Sequence, residues 1–251
     1  MDNAGPNAVI LLSGGLDSTT VAAVAKAEGR DLYALTIDYN QRHRIELDAA
    51  RRIAAFFGVC KHVIMPIDLR LFGGSSLTDT LDVPKNVPLS EIGRSIPNTY
   101  VPARNTVFLS LALAFAETVD ATEIYIGVSE INSSGYPDCG PEFVRAFEQL
   151  ANIATKAGRE AKPFSIRTPL IELNKKEIIE FGLSLGVDYS LTFTCYDPMP
   201  NGTSCGRCES CLLRLEAFRQ AGRVDPIRYA QSYDCGSAIS GSAISGSAIS
   251  G

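Results

Sequence analysis

The segment Ser13-Gly14-Gly15-Leu16-Asp17-Ser18 decides the fold of this chain. A short apolar, β-branched run at 8–12 comes directly before it and predicts a buried strand. A helical pattern follows, with Leu16, Thr20 and Ala23 on one face, so the two glycines lie in a strand-to-helix turn. Glycine lets the backbone approach a ligand closely, and a helix N-terminus directs free N–H groups into the turn. The segment is therefore predicted to bind phosphate groups.

The residue types in this segment limit the kinds of phosphate ligand that it can bind. Hydroxyl groups at Ser13 and Ser18 suit phosphate oxygens, whereas Asp17 suits them only if a divalent cation bridges the two. The lysine of a Walker A loop is missing, which excludes that class of nucleotide site. The segment instead resembles the S-G-G-x-D-S loop of the PP-loop ATP pyrophosphatases. That resemblance implies that residues 13–18 hold the pyrophosphate end of ATP.

Composition excludes several classes of protein. The chain has 251 residues, 45% of them hydrophobic, which is enough for one sizeable core and a small appendage. Its net charge of −5 argues against broad nucleic-acid binding, which requires many Lys and Arg. No segment reaches the ~20 consecutive apolar residues of a membrane span, and no basic region of a signal peptide is present. Seven cysteines, four of them clustered, favour a reducing cytoplasm and a metal site over disulfides.

Strands and helices continue to alternate after the first turn. Further strands are predicted at 31–37, 61–65 and 123–128, with an edge strand at 163–170 and helices at 45–57, 106–118, 141–157 and from 174. This order predicts an α/β fold with a doubly wound, mostly parallel sheet. Three prolines and a Gly pair interrupt residues 70–99, which predicts a long loop such as an active-site flap.

Two basic residues lie at predicted helix starts, where an anion is favoured. Arg104, with Asn105 beside it, offers a guanidinium with paired donors for a phosphate, although a surface arginine fits the spacing too. Lys175 lies in the first turn after the N-cap Asn174, with Glu177 placed for a capping box. A cation is unfavourable there unless it reaches an anion, and a solvated lysine is the alternative.

The loop that follows the fourth strand carries further candidate groups. Tyr136 offers an aromatic face and Asp138 a carboxylate, a pair that suits a guanine-like ring. A Gly/Pro turn beside a buried Cys139 is the alternative interpretation. Because open α/β sheets bind ligands at the carboxyl ends of their strands, this loop is a predicted part of the site.

Four cysteines form the second strong motif, Cys195-x9-Cys205-x2-Cys208-x2-Cys211. Four thiolates at these spacings predict a closed, tetrahedral structural zinc site, with no open position for a catalytic water. An iron–sulfur cluster is the alternative, but the C-x3-C-P continuation of a ferredoxin run is missing. Cys60 lies outside the cluster and is predicted to be a core residue.

Three consecutive Ser-Ala-Ile-Ser-Gly repeats occupy 237–251. Perfect repeats of small residues are typical of linkers and not of cores, and a peptide that occupies a site is the alternative. We predict an ATP-binding α/β domain at 1–190, a small C-terminal four-cysteine zinc-binding module with its helix at 191–235, and the repeat tail at 236–251.

The order of these motifs, from residue 8 to about 221, resembles the QueC family, the 7-cyano-7-deazaguanine synthases. The matching segments are 13–18, Asp38-Tyr39-x-Gln41-Arg42-His43, 97–105, 134–139, 168–175 and the four-cysteine motif. The resemblance implies that the enzyme adenylates 7-carboxy-7-deazaguanine with ATP and Mg²⁺, and that ammonia then gives the amide. A second ATP-driven activation would dehydrate the amide to the nitrile. Structural Zn²⁺ and a homodimer are also implied.

The resemblance also implies roles for individual residues. The predicted catalytic residues are Asp17, Ser18, Arg104 and Lys175. The predicted ATP site comprises Ser13, Gly14, Gly15, Leu16, Asp17, Ser18, Arg104, Asn105 and Lys175. The predicted substrate site comprises Gln41, Arg42, His43, Asn132, Ser134, Gly135, Tyr136 and Asp138. The predicted metal ligands are Cys195, Cys205, Cys208 and Cys211.

One loop departs from the family pattern. The family usually has Asp, an aromatic residue and Arg where this chain has Asn132, Ser133 and Gly140. Asn keeps the size of Asp but loses its charge and any capacity as a general base. A changed acceptor is therefore an alternative, as in the QueC-like paralogues of type IV CBASS antiviral operons, which join the deazaguanine to a protein amino terminus.

Two further alternatives come from other classes of function. A PP-loop enzyme that thiolates tRNA would need reactive sulfur carriers, and both the acidic charge and the closed cysteine spacing argue against it. A non-catalytic nucleotide-binding subunit is the other, and the retained Asp17, Ser18, Arg104 and Lys175 argue against that.

Overall fold

A computed structural model describes residues 5–41, 45–129, 131 and 135–230. The strands in these ranges are β1 Asn7–Leu11, β2 Asp31–Asp38, β3 Lys61–Pro66, β4 Glu123–Tyr125 and β5 Ser165–Arg167. The helices are α1 Leu16–Ala27, α2 Ile45–Phe57, α3 Arg104–Thr118, α4 Pro141–Ala154, α5 Lys156–Arg159, α6 Lys175–Ser184 and α7 Glu209–Gln220. Single 3-10 turns occur at Leu69–Leu71 and Tyr189–Leu191.

The five strands form one sheet in the order β3-β2-β1-β4-β5, and all four pairings are parallel. Consecutive strands run outward from β1 to β3, after which the chain crosses back to β4 on the other side of β1. The strand order therefore reverses between β1 and β4, which is where open α/β sheets bind ligands. The predicted doubly wound parallel sheet is confirmed.

Helices cover both faces of the sheet because β1 is apolar on both sides. Val9 and Leu11 pack into a cluster with residues of α3 and α4, such as Leu109 and Phe147. The alternate residues of β1, including Ile10, pack into a second cluster with α1, α2, α6 and α7. A strand that is covered by helices on both faces of its sheet has apolar side chains at every position. This explains why residues 8–12 do not alternate between apolar and polar.

The helix ends follow the predicted signals. Asn174 and Glu177 form a complete capping box at the start of α6, and Gly58 follows α2 with φ +58°. Helix α3 begins at Arg104, two residues before the predicted start, so the guanidinium lies in the first turn. None of the helices in the described ranges is long and apolar enough to cross a membrane.

The long loop 70–99 packs against the rest of the protein. Ser75, Ser76, Leu77 and Thr78 are buried, and Ser76 N–H donates to the Asn98 carbonyl at 2.8 Å. Further along, Asn86 N–H donates to the Arg207 carbonyl at 2.8 Å. The loop thereby ties the sheet domain to the four-cysteine segment.

The prediction that Cys60 is a core residue is wrong, because this cysteine is exposed. It directly precedes β3, the outermost strand on its side of the sheet, and several side chains of β3 are themselves exposed. Apolar neighbours in the sequence indicated burial, but an edge position supplies no element to cover the side chain.

A buried ion pair joins α7 to the segment that follows it. Arg214 is 2% exposed and Asp225 is 3% exposed, with Nε to Oδ2 at 2.7 Å. The same guanidinium donates to Thr192 Oγ1 at 2.7 Å and to the Tyr189 carbonyl at 3.2 Å. Removing one partner of such a pair leaves the other charge buried and unpaired.

We expect Arg214→Met to lower the free energy of unfolding by about 3–5 kcal/mol, the usual cost of breaking a buried pair. The matched control is Arg51→Met, since Arg51 also pairs with an aspartate but is 54% exposed. That exposed pair should contribute less than about 1 kcal/mol. Urea unfolding of both variants makes the comparison, and equal losses of stability would contradict the role assigned to Arg214.

Candidate active site

A cavity of about 260 Å³ opens at the carboxyl ends of β1, β2 and β4. The 13–18 turn forms one wall, and Gln41, Arg104, Asn105 and Tyr136 lie on the others. The site residues predicted from the sequence that line it are Ser13, Gly15, Leu16, Asp17, Ser18, Gln41, Arg104, Asn105 and Tyr136. Residues separated by more than a hundred positions in the sequence therefore meet in one cavity at the switch point of the sheet.

Backbone geometry at Gly14 explains why the turn requires glycine. Gly14 has φ +85°, and a Cβ there would lie 2.4 Å from the Glu46 carbonyl oxygen and 2.8 Å from Ala50 N. Ser18 Oγ accepts from Ser13 N–H at 3.2 Å, which holds the turn closed. Helix α1 thus begins within a turn that packs against α2, and the N-terminus of a helix in such a turn favours anion binding.

Asp17 and Lys175 form an ion pair across 158 positions of the sequence. Lys175 Nζ donates to both carboxylate oxygens of Asp17, at 2.7 and 2.8 Å. The two side chains are 32% and 19% exposed. The solvated-lysine alternative is therefore wrong: Lys175 reaches an anion, and that anion belongs to the 13–18 turn. The pair places a carboxylate and an ammonium together beside the cavity.

Arg104 projects into the cavity from the first turn of α3. Ala103 before it has φ +54°, a left-handed conformation that is rare for alanine and clusters at functional sites. Burial would lower the pKa of the guanidinium, but the nearby Tyr39 and Tyr196 outweigh this and keep the pKa raised. Arg104 also lies 5.9 Å from the Phe108 ring centroid. A half-buried cation with tyrosines around it suits an anionic ligand.

Two candidate residues serve the framework of the cavity. The Asp138 carboxylate is buried and accepts from Asn105 N–H at 3.0 Å, and Asn105 Nδ2 donates to the Asp138 carbonyl at 2.9 Å. A Cβ at Gly135 would lie 2.5 Å from the Ser95 carbonyl oxygen. Asp138 therefore caps α3 and Gly135 permits close packing on loop 70–99. Their direct contact with a substrate stays a prediction.

Tyr39 and Glu46 are two of the titratable wall residues to which the sequence analysis assigned no role in the site, although Tyr39 falls within a matched segment. Gln41 connects them, because its Oε1 accepts from Tyr39 N–H at 3.0 Å and its Nε2 donates to Glu46 Oε1. Burial, opposed by the Gln41 hydrogen bond and by Arg104, raises the pKa of Glu46 to about 7. Glu46 looks in the sequence like an ordinary acidic residue in the first turn of a helix, so only its tertiary position reveals it.

The segment around the cysteines also contributes to the cavity wall. Thr194, Tyr196 and Ser210 line it, and each is adjacent in sequence to a cysteine of the cluster. Phe193 N–H donates to the Gly14 carbonyl at 2.9 Å. Thr194 Oγ1 is buried with no hydrogen-bond partner in the described part of the chain. The cysteine segment and the 13–18 turn thus shape one site.

The four predicted metal ligands come together. The Sγ atoms of Cys195, Cys205, Cys208 and Cys211 lie within 4.8 Å of one another, and all four residues are buried. The separations Cys205–Cys211 and Cys195–Cys208 are both 4.0 Å, close to the edge of about 3.8 Å that Zn–S bonds of ~2.3 Å imply for a tetrahedron. Backbone N–H groups donate to sulfur, as from Cys208 to Cys205 Sγ at 3.3 Å. The donor set fits a tetrahedral metal ion.

Four of the predicted substrate residues, Arg42, His43, Asn132 and Ser134, lie outside the described residues, as does Ser133 of the divergent loop. Gly140, the third divergent position, is described. It is the N-cap of α4, and a Cβ there would meet no atom within 4 Å.

Comparison with known proteins agrees with this geometry. The family model "Queuosine biosynthesis protein QueC" matches residues 7–222. A 7-cyano-7-deazaguanine synthase of Paramagnetospirillum magneticum is 56% identical over 223 residues, covering 89% of this chain and 98% of that protein. The synthase of Pelobacter propionicus is 57% identical over 224 residues, covering 89% and 97%.

Among solved structures, an NMN synthetase from Francisella tularensis aligns with a TM-score of 0.46 and 18% identity, over 88% of this chain and 79% of that one. This likeness is too weak to bear on function. The family model spans most of the chain, both relatives are well over half identical to it, and the 13–18 turn and the four-cysteine cluster are in place. The chain belongs to the QueC family.

Proposed function

We propose that this protein is an ATP-dependent 7-cyano-7-deazaguanine synthase that activates the carboxylate of 7-carboxy-7-deazaguanine and joins it to nitrogen. The observation that carries the proposal is the single cavity formed by the 13–18 turn, Arg104 and an aromatic wall, in a chain over half identical to named synthases. Both ligands of an adenylation can meet there, the phosphates at the turn and the ring on the tyrosines.

The residues of the turn would hold the pyrophosphate end of ATP. Free N–H groups at the start of α1 and the hydroxyls of Ser13 and Ser18 are donors for its oxygens. Arg104 would stabilise the charge that develops on the α-phosphate when the carboxylate attacks it. Asp17 would be a ligand for Mg²⁺, which would screen the phosphates and polarise them when bound.

The Asp17–Lys175 pair suits this chemistry because each partner has a use once ligands enter. The carboxylate is a ligand for Mg²⁺ and the ammonium is a ligand for phosphate. In the structure the two side chains pair with each other at 2.7 Å. A carboxylate is a poor electrophile, whereas its acyl adenylate carries a leaving group that a neutral amine can displace.

Four further properties belong to the proposal. The four thiolates would hold Zn²⁺ as a closed structural site, since no fifth donor or open position is needed for their geometry. Clustered, unpaired cysteines favour a cytoplasmic location. The homodimer follows from the family resemblance. Ammonia is the acceptor we propose, and the similarity to named synthases favours it over a protein amine or a tRNA base.

The first half-reaction gives a direct test. Labelled pyrophosphate should enter ATP when the protein is incubated with ATP, Mg²⁺ and 7-carboxy-7-deazaguanine, because reversible adenylation regenerates ATP. No label should enter when the deazaguanine is omitted or replaced by 7-deazaguanine, which lacks the carboxylate. Exchange that is independent of the carboxylate, or no exchange at all, would contradict the proposed substrate.

A further inference from the structure

The synthase reaction must remove protons from nitrogen. When ammonia attacks the acyl adenylate, the N–C bond forms, the C–O bond to AMP breaks with its electron pair, and the nitrogen is left with an excess proton. When the amide is dehydrated, its oxygen leaves on a second AMP and the nitrogen loses both remaining protons. A base beside the nitrogen is needed in both steps.

Two carboxylates line the cavity in the described part of the chain, those of Asp17 and Glu46, and they differ in how many of their oxygens are hydrogen-bonded. Asp17 is held by Lys175 through both oxygens. Glu46 accepts from Gln41 through Oε1, and no other donor to its carboxylate occurs among the described residues. Glu46 Oε2 is thus available to a ligand in the cavity.

The position of Glu46 brings it next to the activating turn. Its backbone oxygen packs against Gly14, and the positive charge of Arg104 acts on its carboxylate and lowers the carboxylate's pKa. We propose that the Glu46 carboxylate is the general base that accepts protons from the attacking and the dehydrating nitrogen, an inference that rests on the proposed function. Each proton passes from nitrogen to Glu46 and then to solvent before the next step.

The surroundings of Glu46 suit a group that must gain and lose a proton. Burial is the largest influence and raises its pKa, Asp38 at the end of β2 raises it further, and Gln41 and Arg104 lower it, to a value of about 7. Tyr39 also faces it from the segment after β2. A base poised near the working pH combines the correct protonation state with a useful driving force.

The test separates adenylation from nitrogen transfer. Glu46→Gln should leave carboxylate-dependent ATP–pyrophosphate exchange within about threefold of wild type, while amide formation from ammonium falls by roughly 10²–10⁴-fold, the range for general-base catalysis. With hydroxylamine the loss should be much smaller, because its nitrogen is a weaker base than ammonia and releases the excess proton to water more readily after the attack. Asp48→Asn is the matched control, because Asp48 lies on the same helix with its side chain 65% exposed, and it should change none of these rates.

The pH dependence of the wild-type protein provides an independent measurement that needs no variant. At a constant concentration of neutral ammonia, which removes the effect of ammonium ionisation, amide formation should rise with pH through about 7 as Glu46 loses its proton, whereas the exchange reaction should lack this acid limb. The limb should disappear in Glu46→Gln.

Several results would overturn the proposal. If the variant, folded by circular dichroism, loses exchange or raises the KM for 7-carboxy-7-deazaguanine instead, Glu46 acts in binding. Equal losses with ammonium and hydroxylamine, or an acid limb retained in the variant, would equally exclude the base. Absence of exchange in the wild type would instead refute the proposed substrate, and the base would fall with it.

Discussion

Replacing Gly14 with alanine should reduce adenylation by about 100-fold or more, the loss expected when a site is displaced by about 1 Å. The added Cβ would lie 2.4 Å from the Glu46 carbonyl oxygen and 2.8 Å from Ala50 N, and both are backbone atoms of α2 that cannot rotate away. The turn must therefore move, and the donors of residues 13–18 move with it. Carboxylate-dependent pyrophosphate exchange measures the effect.

Gly29→Ala is the matched control for backbone strain. Gly29 also has a left-handed conformation, with φ +75°, but a Cβ there would meet nothing within 4 Å. In that variant the left-handed conformation of alanine should lower the free energy of unfolding by about 1–2 kcal/mol, and the exchange activity should stay at the wild-type level. If Gly14→Ala exchanges pyrophosphate as fast as Gly29→Ala, close packing of the turn against α2 is not what positions the ATP site.

The second large effect is expected at the cysteine cluster. Cys208→Ser should abolish stoichiometric metal binding and lower the free energy of unfolding by more than about 4 kcal/mol, a loss typical of a removed metal site. Cys208 is fully buried, and it is also the N-cap of α7. Elemental analysis of the purified variant and its melting temperature measure the two changes.

Catalysis should fall with the metal, because the cluster and the cavity share a segment. Tyr196 and Ser210 line the cavity one residue away from the ligands Cys195 and Cys211. Cys60→Ser is the control, since Cys60 is exposed and lies outside the cluster, and it should keep the metal and the melting temperature. Full metal content in Cys208→Ser, or metal loss in Cys60→Ser, would refute the predicted ligand set.

The sequence predicted the parts of the fold that local patterns determine. The run at 8–12, the glycines of the 13–18 turn and the capping box at Asn174 each carry their information within a few residues. The doubly wound parallel sheet was accessible because parallel α/β units permit few topologies. The cysteine ligands were accessible because their spacing alone limits the possible metal geometry.

What the sequence could not supply depends on contacts between distant segments. From the sequence alone a solvated side chain was the favoured interpretation of Lys175, whereas in the structure it pairs with Asp17 at 2.7 Å. Glu46 carries no local signal at all, because its raised pKa arises from burial. Asp138 suggested a recognition carboxylate, and nothing in the sequence indicated that the same carboxylate also accepts from Asn105 N–H at the start of α3. Cys60 was mistaken for a core residue because its neighbours in sequence are apolar and its position at the sheet edge was not visible.

Product identification tests the central claim most directly. The protein would be incubated with 7-carboxy-7-deazaguanine, ATP, Mg²⁺ and ammonium, and the small molecules followed by mass spectrometry with ¹⁵N-labelled ammonium. We predict a transient amide followed by 7-cyano-7-deazaguanine carrying one ¹⁵N, with AMP and pyrophosphate released in step. An amide that never loses water, or a deazaguanine mass that appears only on a protein amino terminus, would contradict the proposed synthase.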